Sequence, residues 1–507
     1  MLMGFFNNHN HTEYSNALLG FADVVNHPSD LIQRAYDLGL KGLTITEHEG
    51  IASHIQALNY LEEARKPTKD KNGNEVPPKI TRPFVLGLGN EIYLMEEWED
   101  RINRGESVII EQTGENEGKV IISDEKYPYY HFILTALDTE GHHQIRQLST
   151  RAWLRAYKKN IWRRPTYYSD LEEIIKPNQG HVIASTACLG SRIDKILLNY
   201  ANTESHKNST LEGLFVEAQE EIDRLLEIFG EDNFYLEVQP AKEEGTDQSK
   251  VNRAMLELKS FYEEFNSLKI IPTTDSHYLS KDTAFIHKVY LNSQDGDREV
   301  DDFYATAYLM DENELRDYLR IDFTDEQIDQ MYKWSDELAD RIKGYNIKHD
   351  PIIPQIPIDK IPENFELQGV FKKWYEVYPN FGYYASPERP LHERYFFYQI
   401  EQSLISKILN KGKDIESYIA RCDEEWKELK IISEQLDTSM ASYYSTMSHI
   451  IDLIWEAGSL AMPARGSAAG FLTCYLLDVT QIDPVPLGDY FPSWRHLNHL
   501  RGVELPD

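Results

Sequence analysis

Leu43-Thr44-Ile45-Thr46 is a short apolar and β-branched run that delivers Glu47-His48 at its carboxyl end. A run of this length and make-up reads as a buried strand. Just upstream, Pro28-Ser29 opens a helix whose apolar side is Leu31, Ile32, Ala35 and Leu38, and Gly39 suits its C-terminal cap. Downstream the same unit recurs. Phe84-Val85-Leu86-Gly87-Leu88 ends near Glu91, His131-Phe132-Ile133-Leu134 is a further strand, and His181-Val182-Ile183-Ala184 runs to Cys188. Phe234-Tyr235-Leu236-Glu237-Val238 follows, and Ile270-Ile271-Pro272-Thr273-Thr274 ends at Asp275-Ser276-His277. Strand-then-helix repetition predicts parallel strands with crossover helices, hence an α/β barrel or a doubly wound sheet. In barrels the loops at the carboxyl ends of strands build the site, and that is where the polar residues fall here.

Residues 66–82, rich in Lys, Asn, Gly and Pro, read as a loop, and 114–118 as the tip of a hairpin inserted between Glu91 and His131. The pattern changes after about residue 285. Pro351-Ile352-Ile353-Pro354-Gln355-Ile356-Pro357 is an extended, proline-punctuated connector, and long helices follow at about 391–409, 413–436 and 442–457. The expected organisation is a first domain over 1–285, a connector over 286–390 and a helix-rich segment over 391–507.

The length of 507 residues fits two or three domains. No apolar run is long enough to span a membrane, and Met1-Leu2-Met3-Gly4-Phe5-Phe6 lacks the basic flank of a signal peptide. Cys188, Cys422 and Cys474 form no CxxC pair, which points away from a disulfide framework and towards a reducing cytoplasm. The formal net charge of −32 weighs against a chain that grips nucleic acid all over its surface, because phosphate contacts need Lys and Arg. Basic residues concentrated on one face, or gripping parts located elsewhere, would reconcile the two.

Two constellations carry chemistry. His9-Asn10-His11 places two imidazoles on one side of an extended segment, and Asp275-Ser276-His277 repeats the geometry with a carboxylate and an imidazole. His48, Glu91, His131 and Cys188 lie at or beside strand ends between them. Imidazole, carboxylate and thiolate together suit Zn, Mn or Fe, and a cluster of this size has room for two or three ions. Neighbouring metals generate hydroxide and clamp both oxygens of a phosphodiester displacement. The second constellation is Pro463-Ala464-Arg465-Gly466-Ser467-Ala468-Ala469-Gly470, placed before an apolar helix over 471–477. Small residues let a phosphate approach the backbone, free N–H groups at a helix start favour anions, Ser467 can donate a hydrogen bond and Arg465 can neutralise charge. Close helix packing through small residues is the competing reading of this stretch.

His9-Asn10-His11-Thr12-Glu13-Tyr14-Ser15 resembles the opening of the polymerase-and-histidinol-phosphatase (PHP) domain of bacterial and phage DNA polymerase III alpha subunits. Thr46-Glu47-His48, Gly89-Asn90-Glu91-Ile92-Tyr93, Ala187-Cys188-Leu189-Gly190, Phe234-Tyr235-Leu236-Glu237 and Asp275-Ser276-His277-Tyr278-Leu279 follow in the family's order. The resemblance implies a distorted (β/α)7 barrel with a trinuclear metal site, ligated by His9, His11, His48, Glu91, His131, Cys188, Asp275 and His277. One ligand is missing. Where the family has Asp-Gly this chain reads Leu18-Leu19-Gly20, and Asp23 would need a local shift to substitute. Glu47 stands where Asp is usual.

Arg465 to Gly470 is similar to the glycine-serine motif of the same family's palm, and Ile482-Asp483-Pro484, Arg495, Asn498 and Arg501 follow in order. The resemblance implies a mixed α/β, helix-rich palm segment in which Arg465, Gly466 and Ser467, with Arg501, hold the triphosphate of an incoming nucleotide. Departures are Ala464 in place of Gly, a short insertion near Trp494 and an extended helix over 415–438. The family's two catalytic aspartates lie beyond Asp507. The implied function is DNA-directed DNA synthesis once those residues are supplied by a continuation or a second polypeptide, with a possible metal-dependent 3′–5′ exonuclease in the barrel. Implied cofactors are Zn or Mn in the barrel and Mg in the completed palm. Implied partners are a DNA primer-template and a deoxynucleotide. The alternatives are a stand-alone PHP phosphoesterase and a structural platform with a degenerate site.

Overall fold

Among the described residues, eight strands build the main sheet of the first half of the chain: β1 (Phe6–Asn7), β2 (Gly42–His48), β3 (Val85–Met95), β4 (Tyr130–Ala136), β5 (Pro165–Tyr167), β6 (Val182–Ser185), β7 (Phe234–Val238) and β8 (Lys269–Pro272). The computed structural model describes residues 4–19, 23–97, 109–110, 120–121, 129–159, 164–202, 210–261, 267–293, 304–349, 352–493 and 496. They divide into two compact units, Met1–Lys348 and His349–Asp507.

The strands pair in the order β1-β2-β3-β4-β6-β7-β8, with β5 alongside the outer end of β3. Past β1 and β8 the two edges meet in a parallel bridge between Asn10 and Ser276, where the His11 amide donates to the Ser276 carbonyl at 3.1 Å. The sheet thereby closes into a seven-stranded barrel, which removes its open edges. Every residue of β2 is buried, as expected of a strand lined by barrel interior on one face and helices on the other. The helix Pro28–Asp37 covers it with Leu31, Ile32 and Ala35, the apolar side read from sequence, and Gly39 turns the chain at a φ of +85°.

One expectation is corrected here. The strands are not all parallel: β4 runs antiparallel to both β3 and β6. Residues 114–118 lie outside the described residues, but Ile109–Ile110 and Val120–Ile121 on either side pair antiparallel. An antiparallel neighbour needs no helical crossover. Because β4 is reversed, its first residues rather than its last lie at the same end as the carboxyl termini of β2, β3 and β8.

The first unit also runs past the boundary read at residue 285. Tyr308, Leu315, Leu319, Ile328 and Met331 belong to the same buried core as the barrel strands. The helix Asp325–Arg341 presents Ser335 to the short strand β1; its hydroxyl accepts from the Phe6 amide at 3.0 Å and donates to the Phe6 carbonyl at 2.7 Å. This satisfies backbone groups that a two-residue strand leaves unpaired.

In the second unit the helices Leu391–Ser403, Ile415–Gln435 and Met440–Glu456 lie within a few residues of their sequence-read limits. Among the described residues of this unit none is in a strand, so what is described of the expected mixed palm is its helical part. Its core gathers around Trp426, fully buried, which stacks on Phe381 at 5.3 Å between ring centroids and donates to the Thr473 hydroxyl at 3.0 Å. The carboxyl half of Met440–Glu456 leaves that core: Ile450, Leu453 and Trp455 are exposed there, and Leu460 (83% exposed) and Met462 follow.

Candidate metal centre and nucleotide cradle

Each barrel residue picked out in the sequence reaches one end of the barrel. His9 and His11 follow β1, His48 ends β2, Glu91 lies in β3, His131 starts β4, Cys188 follows β6, and Asp275 and His277 follow β8. His131 arrives there only because β4 is reversed. His9 Nε2 lies 2.8 Å from Glu91 Oε2 and 3.2 Å from Asp275 Oδ1. His11 Nε2 lies 3.2 Å and 3.0 Å from the same two oxygens, and 3.1 Å from His9 Nε2. His48 Nδ1 and His131 Nδ1 approach Glu91 Oε1 at 3.1 Å and 2.6 Å, and Cys188 Sγ is 3.4 Å from His131 Nδ1.

The donor set fits transition metals. Glu91 Oε1, Asp275 Oδ1 and His48 Nδ1 are buried and close to ring nitrogens or oxygens, yet make no hydrogen bond of proper geometry. Two imidazole nitrogens facing each other at 3.1 Å with carboxylate oxygens between them are lone pairs converging on a common centre, as ligands around a cation do. Two groups lie close enough to hold ions: His9, His11, Glu91 and Asp275, and separately His11, His48 and His277.

The electrostatics agree. Burial would lower the His48 imidazole, but Glu91 and Asp23 beside it push it up to about 10. Burial would raise the Asp275 carboxyl, but His9 and His277 hold it below the usual carboxylate range. Against burial, His9 and His277 are likewise raised by their carboxylate neighbours, while burial lowers His11. Bound cations would take the place of the protons on the raised imidazoles. Strain accompanies the site: Glu49, Ala187 and Asp275, each in or beside it, have φ of 52°, 68° and 44°. Such non-glycine conformations cost of order 1–3 kcal/mol each. Gly190 admits His131 at close range, since a Cβ there would stand 2.8 Å from the imidazole Cγ.

Two carboxylates join the set that sequence reasoning placed. Asp23 reaches the site without help from Leu19. Asn16 Oδ1 accepts from the Asp23 and Val24 amides, both at 2.8 Å, and this turn brings Asp23 Oδ2 to 3.2 Å from His48 Nε2 and 3.4 Å from His277 Nε2. The Tyr304 hydroxyl donates to its other oxygen at 2.6 Å. Burial would raise this carboxyl, but His277 and His48 hold it well below the usual range. Glu237, quoted as part of a strand but not as a site residue, accepts from His9 Nδ1 at 2.6 Å. Ser185 and Thr273 hydroxyls donate to Glu237, at 2.9 and 2.5 Å. A carboxylate that fixes the tautomer of a ligating histidine is a common feature of metal sites. The signal in sequence was a buried Glu on an otherwise apolar strand. Glu47 turns away; it accepts from the Thr12 hydroxyl at 2.5 Å and the Ser53 amide at 3.3 Å.

In the second unit Arg465 is exposed, Gly466 takes a φ of +58° and Ser467 is half-buried at the start of the 3-10 turn Gly466–Gly470. Arg501 lies outside the described residues. The apolar helix is shorter than expected, Leu472–Leu476, and its start is already taken. The buried Glu425 carboxylate accepts from the Leu472 amide at 2.7 Å, the Thr473 amide at 3.0 Å and the Thr473 hydroxyl at 2.8 Å. The N–H groups at that helix start are therefore not open to a phosphate. The turn itself, with Arg465 and Ser467, is the part facing outward.

Residues 7–241 match the model of the PHP domain, and 394–507 match that of the bacterial DNA polymerase III alpha NTPase domain. The chain is a PHP domain followed by a DNA polymerase III alpha NTPase domain. Its relatives include a DNA-directed DNA polymerase of Bacillus phage SPbeta, 34% identical over 509 residues, with 98% of this chain and 36% of that protein covered. DNA polymerase III subunit alpha of Aquifex aeolicus is 25% identical over 76% of this chain and 28% of its own length. That of Thermus aquaticus is 25% identical over 75% and 30%. The chain thus spans about a third of the length of these relatives. Among the described residues no helix is long and apolar enough to cross a membrane.

Proposed function

We propose that this PHP–NTPase chain is the amino-terminal third of a cytoplasmic replicative DNA polymerase, working on a DNA primer-template with deoxynucleoside triphosphates and Mg. The observation that carries this reading is the pairing, in one chain, of a converging ligand set at a barrel end with an outward-facing Arg465-Gly466-Ser467 turn. A free-standing phosphoesterase has no use for the second. The exposed apolar end of Met440–Glu456 supports a continuation or second polypeptide carrying the rest of the palm: a helix apolar on several sides is normally covered. In this reading Arg465 neutralises triphosphate charge, Ser467 donates to a phosphate oxygen and Arg501 assists.

The barrel site is read as a hydrolytic centre holding Zn or Mn through His9, His11, His48, Glu91, His131, Cys188, Asp275 and His277, with Asp23 in addition. Bound metal supplies hydroxide near neutral pH and polarises a phosphodiester. Glu237 holds the His9 Nδ1 proton, which leaves Nε2 free as a ligand. Beside Asp275 opens a cavity of about 410 Å³ lined by Gln239, Lys242, Gln248, Thr274 and Thr306, room for one nucleotide. Asp23 favours this reading over a degenerate platform.

The test has two arms. A 3′-labelled single-stranded oligonucleotide with Mn or Zn should be shortened by the wild-type chain and left intact by Asp275→Asn and by excess chelator. Primer extension should be absent from this chain alone and appear when a polypeptide matching the remainder of the phage relative is added. Arg465→Ala with Ser467→Ala should then cut extension at least tenfold. Full extension by that double variant refutes the cradle, and cleavage surviving Asp275→Asn refutes the hydrolytic site.

A further inference from the structure

The Ser467 hydroxyl is held from behind. His496 is fully buried, with Nδ1 3.0 Å from Ser467 Oγ and Nε2 2.7 Å from the Tyr444 hydroxyl. Tyr444 lies on the helix Met440–Glu456 and is itself buried, and the His496 ring packs on Phe471 at 4.7 Å between centroids. The segment carrying His496 is pinned to the cradle. Arg421 donates to the Gly470 carbonyl at 2.9 Å and the Phe491 carbonyl at 3.1 Å, and the Ser493 hydroxyl donates to Glu424 at 2.8 Å.

Hydrogen-bond accounting fixes the direction of this chain. The Tyr444 hydroxyl carries one proton, and among the described residues His496 Nε2 is the acceptor it meets. Burial pushes this phenol well above its ordinary range, so the proton stays on it. A buried O–H that finds no acceptor is costly, so Tyr444 donates and Nε2 accepts. A neutral imidazole accepting at Nε2 carries its proton on Nδ1. Nδ1–H then donates to Ser467 Oγ, the serine oxygen is used as an acceptor, and its own proton points away from His496. The serine is thus locked in the state that offers a hydrogen to an anion, instead of spending that hydrogen on a neighbour.

We propose that His496, oriented by Tyr444, is a positioning residue that presets the Ser467 hydroxyl as an outward donor for a phosphate oxygen of the incoming deoxynucleoside triphosphate. The triphosphate rests on the nucleotide-binding reading above; the relay does not. His496 would touch no substrate atom and acts only through Ser467.

The experiment separates the two. In the full chain with 15N-labelled histidine, the His496 signal, assigned by its loss in His496→Gln, should report the neutral Nδ1–H tautomer. Tyr444→Phe removes the donor to Nε2 and should shift His496 towards the Nε2–H form. Finding the Nε2–H tautomer in wild type, or no change in Tyr444→Phe, overturns the relay. Affinity for a non-hydrolysable deoxynucleoside triphosphate with Mg is the second readout. His496→Asn, whose amide can donate from the place of Nδ1–H, should retain most of it. His496→Gln and Ser467→Ala should each lose about tenfold or more, and the double variant no more than the worse single. Equal losses in His496→Asn and His496→Gln, or additive losses in the double variant, would mean that His496 only packs. Wild type that binds no triphosphate refutes the nucleotide reading, while the tautomer still decides the relay.

Discussion

In the proposed metal site Asp23 takes the place of the ligand that Leu19 cannot provide. Its carboxylate lies within 3.4 Å of two site histidines and is held by Tyr304. Asp23→Asn keeps the shape and removes the charge, so the chain should bind less metal per mole, by elemental analysis of protein purified without chelator, while its melting temperature changes little. Undiminished metal would mean that Asp23 only braces the histidines. A second residue-scale device lies outside the site. His54 Nε2 faces the Gly89 carbonyl at 3.0 Å and must donate, so His54 Nδ1 accepts from His142 Nε2 at 3.1 Å. Burial, reinforced by His142, lowers His54 to about 3, and burial lowers His142 to about 4. Both folded values fall below the unfolded one, so above about pH 6.5 neither matters. As pH falls below that, the unfolded chain takes up protons the folded one refuses, and stability declines until the folded values are reached. For fully buried His54 the slope approaches about 1.4 kcal/mol per pH unit. His54→Gln, whose amide can make both contacts, should flatten the pH dependence of the urea midpoint between pH 6.5 and 5. A parallel curve would remove His54 as the cause. The residues that converge at the barrel end were legible because His9 and His11, and Asp275 and His277, are set two apart, and His48, Glu91, His131 and Cys188 fall at or beside strands. Asp23 was not, because its position depends on the turn made by Asn16. Glu237 was quoted in its strand but not assigned to the site, because a lone glutamate on an apolar strand does not show which side chain it meets.

At the scale of elements, strand positions were readable from their apolar runs but direction was not. A strand carries the same alternation in either sense, and only the hairpin-like insertion before β4 foretold its reversal. The helices of the second unit were readable from their apolar faces, and in the two longest Asp414 and Ser439 cap the start by accepting from amides of the first turn. What sequence could not reveal is that a remote glutamate closes the start of Leu472–Leu476. Glu425 satisfies two buried amides and a hydroxyl there and is paired with Arg421 at 3.1 Å. Glu425→Ala leaves those donors without an acceptor and Arg421 without its carboxylate, and should destabilise the second unit by roughly 3 kcal/mol or more. Glu425→Gln keeps an acceptor and should cost less. Urea unfolding followed by tryptophan fluorescence, to which the buried Trp426 contributes, reads the difference. Similar losses in the two variants would show that shape rather than hydrogen bonding matters there.

For the whole molecule, the division into a metal-type barrel and a helical segment was visible in the change of pattern after residue 285, and two separate cores follow it. The boundary itself was not visible. The helix Asp325–Arg341 that seals β1 is amphipathic like any other, and its attachment to the barrel is made by contacts at long sequence distance: Ser335 to Phe6, Asp336 to Lys41, and Leu338 and Ala339 packed with Phe6 and Ile271. The exposed run Ile450, Leu453, Trp455, Leu460 and Met462 has a colloidal consequence. Two copies of this chain attract through that patch and repel through a formal charge of −32 each. At about 10 mM salt the repulsion reaches some 30 Å and holds copies apart; at about 1 M it fades within some 3 Å, while contact between apolar side chains is not screened. Purified protein should therefore scatter light as a monomer in dilute buffer and associate as NaCl is raised, the reverse of an ion-paired oligomer. Trp455→Ser with Leu460→Ser should abolish the rise, and association that salt weakens instead would place the contact on charged surfaces. Dilute buffer, not high salt, is then the condition in which this chain stays dispersed while it awaits whatever covers that helix.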